Sequence, residues 1–534
     1  MKAPARIASL PDGLSTRTRT IFSRASLLFA IIDYRWSVPI FAFIHAVLWT
    51  LILSILKGPQ DVHMDVAEAF AWGQKIQLGY GKHPPLSGWI AGVWFKFFPV
   101  ADWAAYALAT ATIGCGLVIC WRVALRVVDR RRAFFTVLML AIYPIFNFKG
   151  FKYNPDLLQL VTLPLLVLAY LDAFEKRTVR AGLWLGLAGA LALMTKYWVL
   201  TMIGAIGISA LVHPERLKFL RSPAPWVAIA TLLVVVLPHL WWLKQVDFVP
   251  LTYAGDVYEI ASRLLCLRLV LGYIGHNLAL LAVPVLLAAL ALTWRRPLTR
   301  AWRFGATAGA NTSQALNVWI IQGVVALGPP LGALAFVISM KTDWGISLFF
   351  LVPLSLVAIP SLSVSASSLL RLIAIWLIAT LGTLAAAPFI ASYEANHSIS
   401  NTAVLGSRSI LADQLTNVWH TRFNSRWAVV AATTEIAEHM AFYSPDHPAP
   451  FTPGELWTAG LTSLEEARLL GFLGVCDPSD PRAPTCRSWM NANAAGAERL
   501  TMTTQRSFFG MVGPANVWEV YVVPPALNLR SNRS

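Results

Sequence analysis

Ala181–Val212 reads AGLWLGLAGALALMTKYWVLTMIGAIGISALV, an apolar run of 32 residues interrupted by one charged residue, Lys196. One upright helix needs about 20 residues to cross the hydrocarbon core, so this run is too long for one span and short for two full ones. Both flanks are basic, with Arg177 and Arg180 before it and Arg216, Lys218 and Arg221 after it. Short loops rich in Lys and Arg stay in the cytoplasm, so both ends of the run belong on that side. Two short helices turning near Lys196 meet this condition and lift the lysine toward the outer surface. A single tilted span would instead leave Lys196 near mid-membrane, at a cost of roughly 3 kcal/mol or more. The run is therefore expected to be a hairpin.

Working outward, similar runs recur along the chain. Spans are expected near 37–56, 102–128, 133–148, 156–171, 226–243, 269–293, 318–339, 346–359 and 369–389, which with the hairpin makes about eleven. Arg126 and Arg130–Arg132, then Arg295, Arg296, Arg300 and Arg303, and then Arg371, mark further cytoplasmic loops. An odd count puts the N-terminus inside and the tail from about Ala391 outside. The organisation expected is a cytoplasmic tail at 1–36, a transmembrane domain at 37–390 whose first external loop is 57–101, and an external domain at 391–534. The fold class is an all-α polytopic membrane protein with a small C-terminal external α/β domain. The GxxxG at Gly182–Gly186 signals close helix packing and no more.

Composition agrees. Of 534 residues, 57% are hydrophobic and only 13% charged, about half the charged share of a soluble domain. That excludes a cytosolic enzyme, a coiled coil and a disordered chain. Apolar runs near 20 residues choose helices over a β-barrel, whose strands are short and alternating. The net charge of +16 sits between the apolar runs rather than on one face, so the partner it suits is an anionic lipid surface or a phosphate-bearing lipid, not nucleic acid. Lys2, Arg6, Arg17, Arg19 and Arg24 precede no small-residue cleavage site, and the N-terminus reads as an uncleaved cytoplasmic tail. Cys115 and Cys120 lie within an apolar run and Cys266 stands alone. Cys476 and Cys486 bracket a polar loop and suggest a disulfide if the tail faces an oxidising compartment. No Cys/His spacing resembles a zinc site, and neither a metal nor a cofactor is assigned.

The external loops concentrate the unusual polar residues. Asp65, Glu68 and Trp72 fall at i, i+3 and i+7, along one helical face. A carboxylate there, shielded from bulk water, can accept a proton from an incoming hydroxyl; an interfacial helix whose acids face water explains the same spacing. Lys82-His83-Pro84-Pro85 offers two nitrogen donors before a rigid stop, which suits stabilisation of a phosphate leaving group; a surface lysine meeting lipid phosphates is the plainer alternative. Asn154-Pro155-Asp156 is a good helix start, with an Asn cap, Pro in the first turn and Asp favouring the dipole. Lys196 is a functional candidate because it is ionisable within an apolar hairpin. Asp343 and Trp344, on a short outer turn, are placed to line the same site. Asp247, Asp256 and Glu259 lie on the outer loop 244–268, where solvated loop acids account for most of them. A Walker A loop, a dinucleotide-binding glycine fingerprint and a G-x-S-x-G elbow are all absent.

The stretch Met64-Asp65-Val66-Ala67-Glu68-Ala69-Phe70-Ala71-Trp72, followed by Gly79-Tyr80-Gly81-Lys82-His83-Pro84-Pro85-Leu86, resembles the first external loop of the GT-C membrane glycosyltransferases. The branch it is most similar to holds the protein O-mannosyltransferases, lipid A aminoarabinose transferases and lipopolysaccharide-core galacturonosyltransferases. Lys152-Tyr153-Asn154-Pro155-Asp156 and Met194-Thr195-Lys196-Tyr197-Trp198 support the likeness by order and position, over about residues 30–360. The resemblance implies an inverting enzyme of the bacterial inner membrane, with its site and C-terminal domain facing the periplasm. It implies a polyprenyl-phosphate-linked sugar as donor and a glycolipid of the lipopolysaccharide type, or another envelope glycan, as acceptor. It also implies Asp65 as general base, Lys82, His83 and Lys196 at the donor phosphate, and Glu68, Tyr80, Asp156, Asp343 and Trp344 at the substrates. Glu68 departs from the adjacent acid pair of many relatives, which points to a structural part for it. A flippase for a polyprenyl-linked lipid explains the spans, the basic loops and Lys196 equally well, but it needs no base. A membrane anchor that positions partners through its tail requires none of these residues.

Overall fold

The computed structural model describes residues 32–293, 311–397, 406–454 and 461–526. Arg295, Arg296, Arg300 and Arg303, and the basic residues of the N-terminus, lie outside the described residues. Seven described helices are long and apolar enough to cross a membrane. They are α1 (Ser37–Leu56), α4 (Asp102–Val127), α6 (Pro155–Lys176), α9 (Pro223–Gln245), α11 (Arg263–Thr293), α12 (Thr312–Phe336) and α13 (Ala366–Asn396). Their outward faces carry large exposed apolar side chains such as Phe43, Leu286 and Phe389. Pro164, Pro238, Pro284 and Pro388 sit inside these helices, where neighbouring helices re-satisfy the backbone groups that proline frees.

The remaining expected spans are shorter. The run at 181–212 is the expected hairpin, made of α7 (Val179–Leu193) and α8 (Leu200–Val212), with Lys196 in the turn between them. Gly182 lets α7 approach α9 closely, since a Cβ there would lie 2.5 Å from the Ala224 carbonyl oxygen. The third expected span, 133–148, begins three residues earlier and ends sooner, as α5 (Arg130–Ile142). Pro144 disfavours helical backbone at Tyr143, and the chain leaves the helix there for a 3-10 turn over Pro144–Phe146. The expected span at 346–359 is a 3-10 segment, Thr342–Leu351, continued by the short helix Val352–Val357. At the C-terminal end, α13 runs on past the last apolar residue through Tyr393 and Glu394 to Asn396.

Polar groups also tie the bundle together. Asn317 on α12 accepts hydrogen bonds from Tyr170 of α6 (3.0 Å) and Ser209 of α8 (2.8 Å). Interhelical side-chain bonds of this kind are typical of membrane bundles.

The loop after α1 is folded. It holds α2 (Met64–Gly73) and α3 (Leu86–Phe97), which cross where Gly73 meets Gly92. A Cβ on Gly73 would lie 2.5 Å from the Gly92 nitrogen, so this crossing needs glycine. A further helix, α10 (Val249–Tyr258), forms within the expected outer loop at 244–268.

Beyond α13 a compact domain carries the mixed sheet β2-β1-β3-β7-β4, with β1 (Val429–Ala431), β2 (Ala449–Phe451), β3 (Phe472–Cys476), β4 (Glu498–Thr504) and β7 (Asn516–Val523). A small hairpin, β5 (Ser507–Phe508) and β6 (Met511–Val512), projects between β4 and β7 in sequence. Strand β1 pairs in parallel with β2 and β3, whereas β7 runs antiparallel to β3 and β4. Helices α14 (Arg408–Phe423) and α15 (Thr434–Tyr443) flank the sheet, followed by α16 (Leu464–Leu470) and α17 (Ala483–Asn493). Cys476 and Cys486 are bonded, which ties β3 to α17.

Candidate active site

A cavity of about 710 Å³ opens where α2, the start of α6, the hairpin turn, α10 and the segment before Trp344 converge. Asp65, Glu68, Lys82, His83, Asp156, Lys196, Asp343 and Trp344 all line it. Tyr80 does not. Its ring is buried and stacked 5.0 Å from Trp72, and its hydroxyl lies 2.8 Å from the backbone carbonyls of Trp72 and Lys75. It therefore supports the loop that carries Lys82 and His83, and the substrate contact expected of it gives way to that role.

Asp65 enters from the first turn of α2. His63 caps this helix by accepting the Asp65 N–H at 3.2 Å. The Asp65 carboxylate accepts a hydrogen bond from the Asn154 side chain at 2.7 Å and has the Lys152 ammonium at 3.8 Å. Burial alone would raise its pKa; the opposing pull of His63, Lys152, the Asn154 bond and His83 outweighs it, and the net shift is downward. Burial also lowers the pKa of His63, so at neutral pH this ring is largely uncharged and Lys152 and Asn154 do most of the holding. Asp65 is thus an ionised, partly enclosed carboxylate, the state a general base requires.

The cations are paired in advance. Lys82 reaches Glu68 at 2.5 Å, and its pKa is raised: burial works against the charged form, but Glu68 and Glu438 overcome it. Glu68 therefore acts by pairing Lys82. In the hairpin turn, Lys196 holds both oxygens of Asp156 at 2.7 and 2.8 Å and lies 5.5 Å from the centre of the Trp344 ring. The Gln159 amide gives Asp156 a further bond at 2.9 Å. His83 serves as a donor without charge. Burial, joined by the nearby Lys196 and Lys82, pushes its pKa down to about 3, so it is a neutral imidazole that offers a hydrogen bond. Asp343 lies at the rim, 3.4 Å from Lys149 and 3.3 Å from His276. Among the described residues, no group of three or more His, Cys, Asp or Glu is arranged to hold a metal ion.

Loop geometry explains the convergence. Backbone bonds between Tyr80 and His83 close a turn at 3.0 and 3.2 Å, and the Leu86 N–H donates to the Met194 carbonyl at 3.0 Å. His239 joins the same assembly, 2.7 Å from the Leu78 carbonyl and 3.0 Å from the Tyr197 hydroxyl. The first loop and the hairpin turn are thereby one unit. Tyr253 and Tyr258 of α10, together with Trp198, add aromatic walls that sequence reasoning did not place in the site. For the two tyrosines the local signal was weak, since Val249–Tyr258 is short and lies within a loop that also carries Asp247, Asp256 and Glu259. Asp247 and Asp256 stay outside the cavity, and Glu259 forms a backbone bridge with Ile338.

The span order, the folded first loop and the small C-terminal sheet define a polytopic membrane protein with the fold of GT-C glycosyltransferases. Its fold is shared with the crystal structure of ArnT from Cupriavidus metallidurans bound to undecaprenyl phosphate, at a TM-score of 0.59 and 13% identity over 91% of this chain and 98% of that one. The apo structure of the same protein matches at 0.58, with 13% identity over 94% and 98%. Residues 82–242 match the family described as dolichyl-phosphate-mannose-protein mannosyltransferase. Lipid A galacturonosyltransferase RgtD of Rhizobium johnstonii is 23% identical over 282 residues, 52% of this chain and 57% of that protein. The chain thus spans little more than half the length of that curated relative.

Proposed function

We propose that the chain is an inverting glycosyltransferase that moves a sugar from a polyprenyl-phosphate carrier to a hydroxyl of an envelope glycolipid of the lipid A or lipopolysaccharide type. Asp65 takes the proton of the acceptor hydroxyl. The acceptor oxygen bonds to the anomeric carbon as the bond to phosphate breaks, and the electron pair leaves on the phosphate oxygen. Lys82 and Lys196, with a hydrogen bond from His83, meet the growing negative charge on that side. Asp156 orients Lys196, while Asp343 and Trp344 bound the substrate space. The reading places residues 37–390 as the catalytic membrane domain in the inner membrane, with residues 391–534 and the site on the periplasmic face.

The observation that carries the proposal is an ionised Asp65 in the same cavity as two lysines already held on carboxylates. A flippase has use for cations but none for a base. The names of the relatives, an enzyme acting on lipid A and an undecaprenyl-phosphate complex, support the choice of donor and acceptor. The test is release of polyprenyl phosphate by purified protein given a panel of polyprenyl-phosphate sugars and envelope glycolipid. Release by wild type and not by Asp65→Asn is expected. No release from any donor by folded wild-type protein defeats the proposal and turns attention to transport.

A further inference from the structure

The loop that leads into Asp65 is gripped from outside the membrane domain. Arg506, beside the small β5–β6 hairpin, bonds the Asp61 carboxylate at 2.8 Å and the Gly58 carbonyl at 2.8 Å. The same carboxylate accepts the Arg408 N–H at 3.0 Å and the Ser409 hydroxyl at 2.8 Å, both from the start of α14. The Asp61 side chain is only 4% exposed and Arg506 18%, so the pair is enclosed. One residue on, Val62 is held at both backbone groups. Its N–H donates to the Tyr443 hydroxyl at 2.7 Å, and its carbonyl faces His439 Nε2 at 2.9 Å. The Tyr443 hydroxyl in turn donates a hydrogen bond to the Asp102 carboxylate, at the head of α4, at 3.0 Å. Phe442 of the same helix packs edge-on against Phe70 of α2, with ring centres 5.4 Å apart. Asp65 lies three residues beyond Val62.

We propose that the C-terminal domain is part of the catalytic apparatus: the Asp61–Arg506 pair and the Tyr443 and His439 contacts to Val62 fix the loop that presents Asp65, which makes them positioning residues. The inference rests on the proposed function for the role of Asp65. A domain that merely docked on the bundle could do so through apolar faces such as Phe70 and Phe442. Here two consecutive residues of the loop have their polar groups met by three separate elements of the domain, namely α14, α15 and the segment around Arg506. The domain also reaches the leaving-group side, since Glu438 on α15 is one of the carboxylates that favour the charged form of Lys82. A misplacement of about 1 Å by a distant change costs on the order of 100-fold in rate, so the grip is a sensitive point.

The experiment uses the full chain in lipid nanodiscs, with Tyr443→Phe, Arg506→Gln and Arg506→Lys beside wild type. Rate, donor KM, the pH profile and hydrogen exchange of residues 58–73 are measured on each. Tyr443→Phe removes only a hydroxyl, so it keeps the test open if an arginine variant folds poorly. For Tyr443→Phe and Arg506→Gln, kcat is expected to fall roughly tenfold or more while donor KM stays within about twofold. The acid limb of the profile is expected to move up in pH, because Asp65 moves away from the Lys152 ammonium and the Asn154 amide that hold its carboxylate against burial. Arg506→Lys is expected to recover part of the rate. An unchanged kcat and acid limb in variants with lowered thermal stability would overturn the inference, leaving a domain that only docks. If wild type itself releases no polyprenyl phosphate, the functional reading fails separately. Exchange then decides the inference: faster exchange over 58–73 in Tyr443→Phe supports it, and unchanged exchange refutes it.

Discussion

Replacing Lys196 with Met tests whether the hairpin turn supplies the cation for the leaving phosphate. Lys196 is 8% exposed and Asp156 27%, and they lie 2.7 Å apart. At an effective dielectric of about 20, two charges at this distance attract by about 6 kcal/mol before desolvation is counted. Desolvation cancels much of this, so the pair adds little net stability, yet removing one partner strands the other. Lys196→Met is therefore expected to lower the thermal midpoint, and adding Asp156→Asn is expected to restore much of it. For activity, one charge-assisted hydrogen bond to the phosphate is worth about 1.5–3 kcal/mol, or roughly a 10- to 150-fold loss in kcat/KM. If Asp156 acts only by orienting Lys196, the double variant loses no more than Lys196→Met alone. The assay is polyprenyl-phosphate release under subsaturating donor, with thermal midpoints measured on the same preparations. A Lys196→Met enzyme within about twofold of wild type in kcat/KM would refute the reasoning. So would additive losses in the double variant, which would give Asp156 a role of its own.

Two further outcomes follow from the same geometry. Because the pKa of Asp65 is lowered, the base stays ionised through neutral pH and is lost only as pH falls below the ordinary carboxylate value near 4. The acid limb of kcat/KM is therefore expected below that value, and Lys152→Met is expected to shift it upward; a limb near pH 6 would contradict the assignment. Gly92→Val is expected to force α2 and α3 apart at their crossing and cut kcat by roughly tenfold or more, measured in the release assay, whereas the same change at Gly204, whose added Cβ meets nothing within 4 Å, is expected to leave kcat alone.

Much of the helical architecture was legible because bilayer thickness and backbone satisfaction leave few options for an apolar run. The 181–212 hairpin shows this well, since its length and basic flanks together placed Lys196 in the turn. Where the reading slipped, a local rule had been outweighed. The runs at 133–148 and 346–359 do not continue as regular helices over their expected lengths: Pro144 ends α5 early and Thr342–Leu351 winds as a 3-10 segment. At the site, Asn154-Pro155-Asp156 is the expected helix start, and Asn154 makes a second bond as well. The Asn154 oxygen caps α6 by accepting the Leu157 N–H at 2.9 Å, while its amide nitrogen donates to Asp65. A sequence shows the cap because cap and helix are neighbours in the chain. It cannot show the second bond, whose partners are 89 residues apart. Tyr80 failed in the opposite direction, being marked by a motif that its burial explains. The grip of Arg506 on Asp61 spans 445 residues and had no local signal at all.

These long-range contacts share a logic. In the enclosed cavity each lysine bonded to a deeply placed carboxylate, Lys82 on Glu68 and Lys196 on Asp156, keeps the local charge balanced until a substrate arrives. A bare cation at either position would be costly to hold at the membrane surface. Pairing fixes the ammonium groups in direction, so that they can turn part of their hydrogen bonding to a phosphate oxygen without a large reorganisation. Asp65 is held differently. Its side-chain hydrogen bond at 2.7 Å comes from a neutral amide, and its nearest lysine stays 3.8 Å away. A carboxylate clamped by a lysine at 2.7 Å would be too weak a base to take a proton from a hydroxyl. The three acids thus divide by their partners: Glu68 and Asp156 are bonded directly to lysines, whereas Asp65 is held by a neutral amide with its lysine at a distance.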